Sequence, residues 1–150
     1  MRFEEIIAFL KGSRFAVVSS VASDGRPQSA VVGIATTSAG EVVFDTLGEA
    51  NKARNLRRDP RVSITVWEGE RTVQLEGRAD EPDGAERHEL VELYLRSWPD
   101  GRARLAWPGI THFRVVPHWI RWSDFSTEPG PTIVVLSRRG PGEAFDVTGP

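Results

Sequence analysis

Between Val62 and Ala79 the chain alternates apolar and polar residues twice, with one interruption. Val62-Ser-Ile-Thr-Val66 has a period of two, Glu68-Gly69-Glu70 breaks it, and Val73, Leu75 and Gly77 then share one face of residues 72–79. Two half-buried strands joined by a short glycine turn make an antiparallel hairpin. Strands that come in hairpins rather than alternating with helices favour an antiparallel barrel, which closes its own edges, over a doubly wound sheet.

The rest of the chain repeats the pattern. Residues 15–21 are apolar and β-branched, and Ser23-Asp24-Gly25-Arg26-Pro27 carries hairpin turn chemistry. A second strand is expected over 28–37 and a third over 41–46, after a turn at Gly40. Residues 112–122 read as one or two late strands interrupted by Pro117. Three helices punctuate them. Phe3, Ile6, Ile7 and Leu10 have helical spacing, with Gly12 placed to cap. Residues 49–58 are helix formers stopped by Asp59-Pro60, with Ala50, Ala53 and Leu56 as a narrow apolar stripe. Asp83 and Glu86 have capping-box spacing before Leu90, Val91, Tyr94 and Trp98, and Pro99 ends that helix. Six or seven strands in hairpin order predict a mainly β antiparallel barrel with peripheral α-helices. One domain is expected over residues 1–128. Eight of residues 129–150 are Gly or Pro, only 132–136 could pair, and the rest reads as a loose tail.

Composition excludes several classes. The absence of cysteine removes disulfides, thiolate metal sites and cysteine nucleophiles. A net charge of -2 argues against a nucleic-acid surface. No apolar run approaches the ~20 residues needed to span a bilayer, and the early acidic residues Glu4 and Glu5 do not suit a signal peptide. A cytoplasmic protein with no membrane or nucleic-acid partner is expected.

Chemistry-bearing groups are sparse. No Gly-x-Ser-x-Gly elbow is present. His112 and His118 lack metal-ligand spacing, so no metal is expected. Arg54, Arg57, Arg58 and Arg61 form either a solvated basic face or an anion site. Trp119 and Trp122, three apart in a strand, must face opposite ways, leaving one for a partner subunit or a planar ligand. The chain has only two lysines, Lys11 and Lys52. Lys52 lies at a predicted helix start near Thr46 and Asn51, so an ammonium, a hydroxyl and an amide surround free backbone N–H groups. That set suits a phosphate; alternatively Thr46 and Asn51 only cap the helix. If an anion binds, first-turn Lys52 should contribute more than any following arginine, with Arg54 the nearest rival.

The Asp24-Gly25-Arg26-Pro27 turn, the Val42-Val43-Phe44-Asp45-Thr46 strand, the run from Asn51 to Ser63, and Val73-Gln74-Leu75-Glu76-Gly77-Arg78-Ala79 occur in an order that resembles the pyridoxamine 5'-phosphate oxidase-like superfamily. Phe113-Arg-Val-Val-Pro117 resembles its last barrel strands, and the resemblance covers about residues 1–125. It implies a split β-barrel, a homodimer with cofactor at the subunit interface, and FMN or the deazaflavin F420 as cofactor. By resemblance, Lys52 and Thr46 would contact the cofactor phosphate; Asn51 and Arg54, beside Lys52 at the helix start, complete the candidate cofactor-binding set. Thr72 would lie near the flavin ring, and Gln74 projects from the same strand face.

The chain also departs from the oxidase pattern. Ala30 and Ala35 stand where the oxidases carry Arg and Lys at the ends of the second strand, and Asn51 replaces the arginine before the lysine. A true pyridoxamine 5'-phosphate oxidase is therefore not expected. The resemblance implies an FMN- or F420-dependent oxidoreductase acting on a small molecule, with no catalytic side chain identified. The alternative is a non-catalytic, stress-associated relative that binds flavin, haem or no cofactor; haem would call on His112 or His118 as axial ligand.

Overall fold

The computed structural model describes residues 2–149. In order it contains α1 (Phe3–Gly12), β1 (Phe15–Val21), β2 (Pro27–Gly33), β3 (Ala35–Thr36), β4 (Val42–Leu47), α2 (Asn51–Arg58), β5 (Arg61–Glu68), β6 (Arg71–Asp80), α3 (Gly84–Ser97), α4 (Gly101–Arg104), β7 (Ile110–Asp124), β8 (Thr132–Ser137) and β9 (Asp146–Gly149). The strands form one antiparallel sheet in the order β2-β1-β5-β6-β7-β4-β3, with β8 on β7 and β9 on β8. The predicted hairpin is β5–β6, paired from Arg61↔Arg78 to Glu68↔Arg71. Among the described residues, no helix is long and apolar enough to cross a membrane.

The strand expected over 28–37 is two strands. β2 pairs with β1 and β3 pairs with β4, so the chain changes partner at Ile34. β2 and β3 end the strand order, and this discontinuity is the split in the barrel. The late strand is continuous despite Pro117. β6 and β7 shift register so that Gly77 faces Pro117 while Glu76 faces Trp119, leaving His118 as the extra residue of a bulge. A proline lacking an N–H is tolerated at such a break in the ladder. Gly77 is required there: an added Cβ would lie 2.3 Å from the carbonyl oxygen of Val116.

The barrel interior holds Leu10, Val18, Phe44, Ile64, Leu75, Phe113, Ile120 and Trp122. On the other side of β4, Val43 joins Ala35, Leu90, Tyr94 and Leu95 in a smaller core beneath α3. Neighbouring residues of one strand thus serve two cores, as strand geometry dictates.

Several local expectations change. Gly12 is the last residue of α1, and Ser13 caps it. Asp83 is the N-cap residue of α3 but forms no side-chain cap, and Glu86 turns to Arg114 instead. The segment beyond Leu136, expected to be loose, contains β9 paired with β8 and Phe145 stacked on Phe3 at 5.0 Å. Trp122 is buried and Trp119 only half-buried, in line with the expectation that the two could not both be core. The large exposed apolar side chains include Phe15, Val31, Trp67 and Trp107.

Candidate functional site

Helix α2 places the candidate groups. Its stripe of Ala53 and Leu56 packs inward, and Asn55 is buried beside them. Ala50 is the N-cap residue and offers no side-chain cap. Neither Thr46 nor Asn51 caps the helix, so the capping alternative for this pair is not what the structure shows. The first-turn N–H groups remain available to a ligand, as an uncapped helix start allows.

Two cavities meet at Lys52. The first, of about 410 Å³, is lined by Val18 and Ser20 of β1, Gln28, Ser29 and Ala30 of β2, and Asn51 and Lys52 of α2. The second, of about 290 Å³, is lined by Thr46, Lys52, Asp45, Tyr94, Trp98 and Arg104 among others. The Lys52 side chain is half-buried and has no protein hydrogen bond or ion pair among the described residues. Small-molecule sites commonly have this size, concavity and sparse set of polar groups.

The candidate residues divide into two groups. Thr46, Asn51 and Lys52 line these cavities, whereas Arg54 is exposed on α2 and lines neither. Thr72 and Gln74 lie on the outward face of β6, which alternates with the buried Val73 and Leu75. They pair with β5 and β7 and do not reach Lys52's cavities within one chain. Ala30 lines the first cavity, but Ala35 is buried beneath α3.

Most of the arginine cluster is structural. Arg57 makes a two-pronged ion pair with Glu81 at 2.6 and 2.8 Å and donates to the Gly48 carbonyl at 3.0 Å. Arg61 is engaged with Asp59, whose carboxyl it lowers to about 2. Arg58 donates to the Val21 carbonyl and to Asn55. Arg54 alone of the four has no protein partner among the described residues.

The Arg57 pair predicts a pH signature. Its guanidinium, assisted by the Thr111 hydroxyl, holds the Glu81 carboxyl below its ordinary value. A depressed carboxyl contributes stability that is complete above the unfolded pKa and is lost as pH falls through the folded one. Arg57→Ala should therefore cost about 1 kcal/mol near neutral pH, and the difference should narrow as pH falls below the ordinary carboxylate range. Urea unfolding across that range checks this; a gap unchanged in acid would contradict it.

The second cavity contains a network that the sequence did not reveal. The Asp45 carboxylate accepts from the Tyr94 hydroxyl at 3.1 Å and from Arg104 Nε at 2.8 Å. Arg104 also pairs with Asp100 at 2.8 Å. Burial, reinforced by Asp45, pushes the Tyr94 hydroxyl up, so it remains a donor at neutral pH. The Trp98 indole donates to the Ile34 carbonyl and lies against Gly33, whose added Cβ would be 2.5 Å from the ring. No motif marks these residues; their common feature is convergence of α3 and α4 on β4.

The histidines serve different environments. His112 is buried edge-on to Tyr94, and burial holds its imidazole below the usual range. It lines neither of the cavities at Lys52 nor the one at His118. His118 is exposed at the bulge and lines a third cavity, of about 370 Å³, with Arg61, Ser63 and Glu76. Among the described residues, no group of three or more His, Asp or Glu is placed to hold a metal ion.

A family model described as pyridoxamine 5'-phosphate oxidase matches residues 3–117. A pyridoxamine 5'-phosphate oxidase-related, FMN binding protein from Nostoc punctiforme superposes with a TM-score of 0.76 at 14% identity, covering 100% of this chain and 98% of its own. A conserved hypothetical protein from Mycobacterium tuberculosis gives a TM-score of 0.71 at 26% identity, covering 83% and 85%. A haem binding protein from Mycobacterium smegmatis gives 0.72 at 20% identity, covering 85% of this chain. This chain spans 54% of that protein's length.

Proposed function

The chain belongs to the pyridoxamine 5'-phosphate oxidase-like family of split barrels, and from that premise we propose that it binds FMN or F420 and acts as an oxidoreductase on a small molecule. The observation that carries this reading is Lys52, a cation without a protein partner among the described residues, at an uncapped helix start and on the wall of two cavities. An ammonium, first-turn N–H groups and the nearby polar groups of Ser20, Gln28 and Asn51 fit an anionic phosphate in donor type and number. The bound cofactor would supply hydride or electron transfer; this chain's residues would anchor its phosphate, orient its ring and exclude water.

Within this proposal the protein is a homodimer. Thr72 and Gln74 face away from the cavities at Lys52 in their own chain, and Phe15, Val31 and Trp67 are large, exposed and apolar. Two-fold pairing would bury such side chains and bring the β6 face of one protomer to the Lys52 region of its partner.

The second reading is a non-catalytic flavin- or haem-binding protein of stress-associated type. It is favoured by the short cationic set: Ala30 contributes no charge to the first cavity, and Asn51 is neutral. His118, exposed beside the third cavity, is then the histidine available to haem.

One preparation tests both readings. Fluorescence titration should give micromolar or tighter binding of FMN or F420 to the apoprotein, and light scattering should give twice the chain mass. Failure of both cofactors to bind removes the oxidoreductase reading, and a Soret band in fresh protein favours the second. A monomer at micromolar concentration contradicts the shared site.

A further inference from the structure

The buried polar residue of α2 has a specific arrangement. The Asn55 side-chain nitrogen donates to Ser20 Oγ at 3.0 Å and to Gln28 Oε1 at 2.8 Å. Its oxygen accepts from Arg58 Nη2 at 3.1 Å, and the same guanidinium nitrogen donates to the Val21 carbonyl at 2.9 Å. A guanidinium has donors only, so Arg58 can face only the Asn55 oxygen. The amide nitrogen must then point towards β1 and β2. Ser20 and Gln28, receiving hydrogens from Asn55, are committed as acceptors on that side.

Both residues also line the first cavity. With its oxygen committed, Gln28 has its NH2 group left to donate, and no protein acceptor takes it among the described residues. Ser20 is buried, and its hydroxyl proton likewise has no protein acceptor there. We propose that Asn55 is a positioning residue: oriented by Arg58, it turns the Ser20 hydroxyl and the Gln28 amide so that both donate into the cavity beside Lys52. The cavity wall then presents donors, and it selects a ligand with acceptor atoms, a phosphate or a ring carbonyl, over one with donors. This inference rests on the first cavity being the cofactor site, and it adds the origin of that site's polarity.

Asn55→Asp separates the relay from simple packing. The carboxylate keeps the shape and the Arg58 contact but can only accept. Ser20 and Gln28 must then donate to it, withdrawing two donors and turning the Gln28 oxygen towards the ligand. Titration with FMN should show affinity lower by about tenfold or more. In the Ser20→Ala/Gln28→Ala background, the same substitution should change affinity by less than about twofold, because the groups it acts through are gone. Equal losses in both backgrounds would mean that the introduced carboxylate acts by its charge or by damaging the fold, and would overturn the proposal.

A second measurement needs neither FMN nor a variant. Side-chain amide exchange in the wild-type protein should be slow for Asn55 and fast for Gln28. A protected Gln28 amide or a rapidly exchanging Asn55 would overturn the relay. If wild-type protein does not bind FMN or F420, the cofactor reading falls, and the exchange rates decide the relay alone.

Discussion

Under the cofactor reading proposed above, Lys52→Ala should lower affinity for FMN or F420 by about ten- to a hundredfold, the loss of one charge-assisted phosphate contact of about 1.5–3 kcal/mol. Position gives this residue its weight. It lies in the first turn of α2, where N–H groups and the helix dipole favour an anion, and no protein partner competes for it among the described residues. Arg54→Ala should cost about threefold or less, as expected for an exposed charge outside both cavities. Arg57 is held by Glu81, and Arg58 faces Asn55 and the Val21 carbonyl rather than the cavity. Fluorescence titration of these variants at one ionic strength ranks them. Equal small losses for Lys52→Ala and Arg54→Ala would place the phosphate elsewhere.

Gly77→Ala produces the largest loss of stability expected from a single methyl group in this chain. Its Cβ would sit 2.3 Å from the Val116 carbonyl oxygen, 2.9 Å from the Val116 carbonyl carbon and 3.0 Å from the Pro117 Cα. All three are backbone atoms at the β6–β7 bulge, so no side chain can rotate away. The cost is about 3 kcal/mol or more, which in a chain of this size lowers Tm by roughly 6–12 °C. Gly12→Ala is the control: beyond its chain neighbours and the backbone of its own helix, the added methyl meets no heavy atom within 4 Å among the described residues, and alanine suits a helix better. It should leave Tm unchanged or slightly raised. A Tm for Gly77→Ala within about 2 °C of wild type, roughly the effect of 0.5–1 kcal/mol, would show that the two strands can separate there without cost.

Elements defined by local period were legible in the sequence, and elements defined by a partner were not. Alternation from Val62 to Ala79 specified both the hairpin and its inward face, because a period of two survives in any antiparallel context. Ile34 carries no such mark. The exchange of partners between β2 and β3 depends on how the barrel closes, so an apolar run across 28–37 looked continuous. β9 was hidden for the same reason: Asp146–Gly149 has little strand character and is ordered by the edge that β8 offers.

The site divides along the same line. Lys52 could be picked out because lysine is scarce and a helix start is predictable. Asn55 could not, since an asparagine in an arginine-rich helix looks like a solvated residue until β1 and β2 are packed against it. Asp45, Tyr94 and Arg104 are separated by up to 59 positions along the chain and meet only after α3 and α4 fold onto β4.

The scarcity of lysine also has a chemical consequence. Lys11 is bonded to Ser38 at 2.7 Å on the exposed surface, while Lys52 stands between two cavities. An acylating reagent that is selective for amines thus has two side-chain targets in the chain. The rate at which Lys52 is acylated reads occupancy of its cavities directly, with Lys11 as the internal standard, and a cofactor or substrate with no colour of its own becomes countable by the amine it shields.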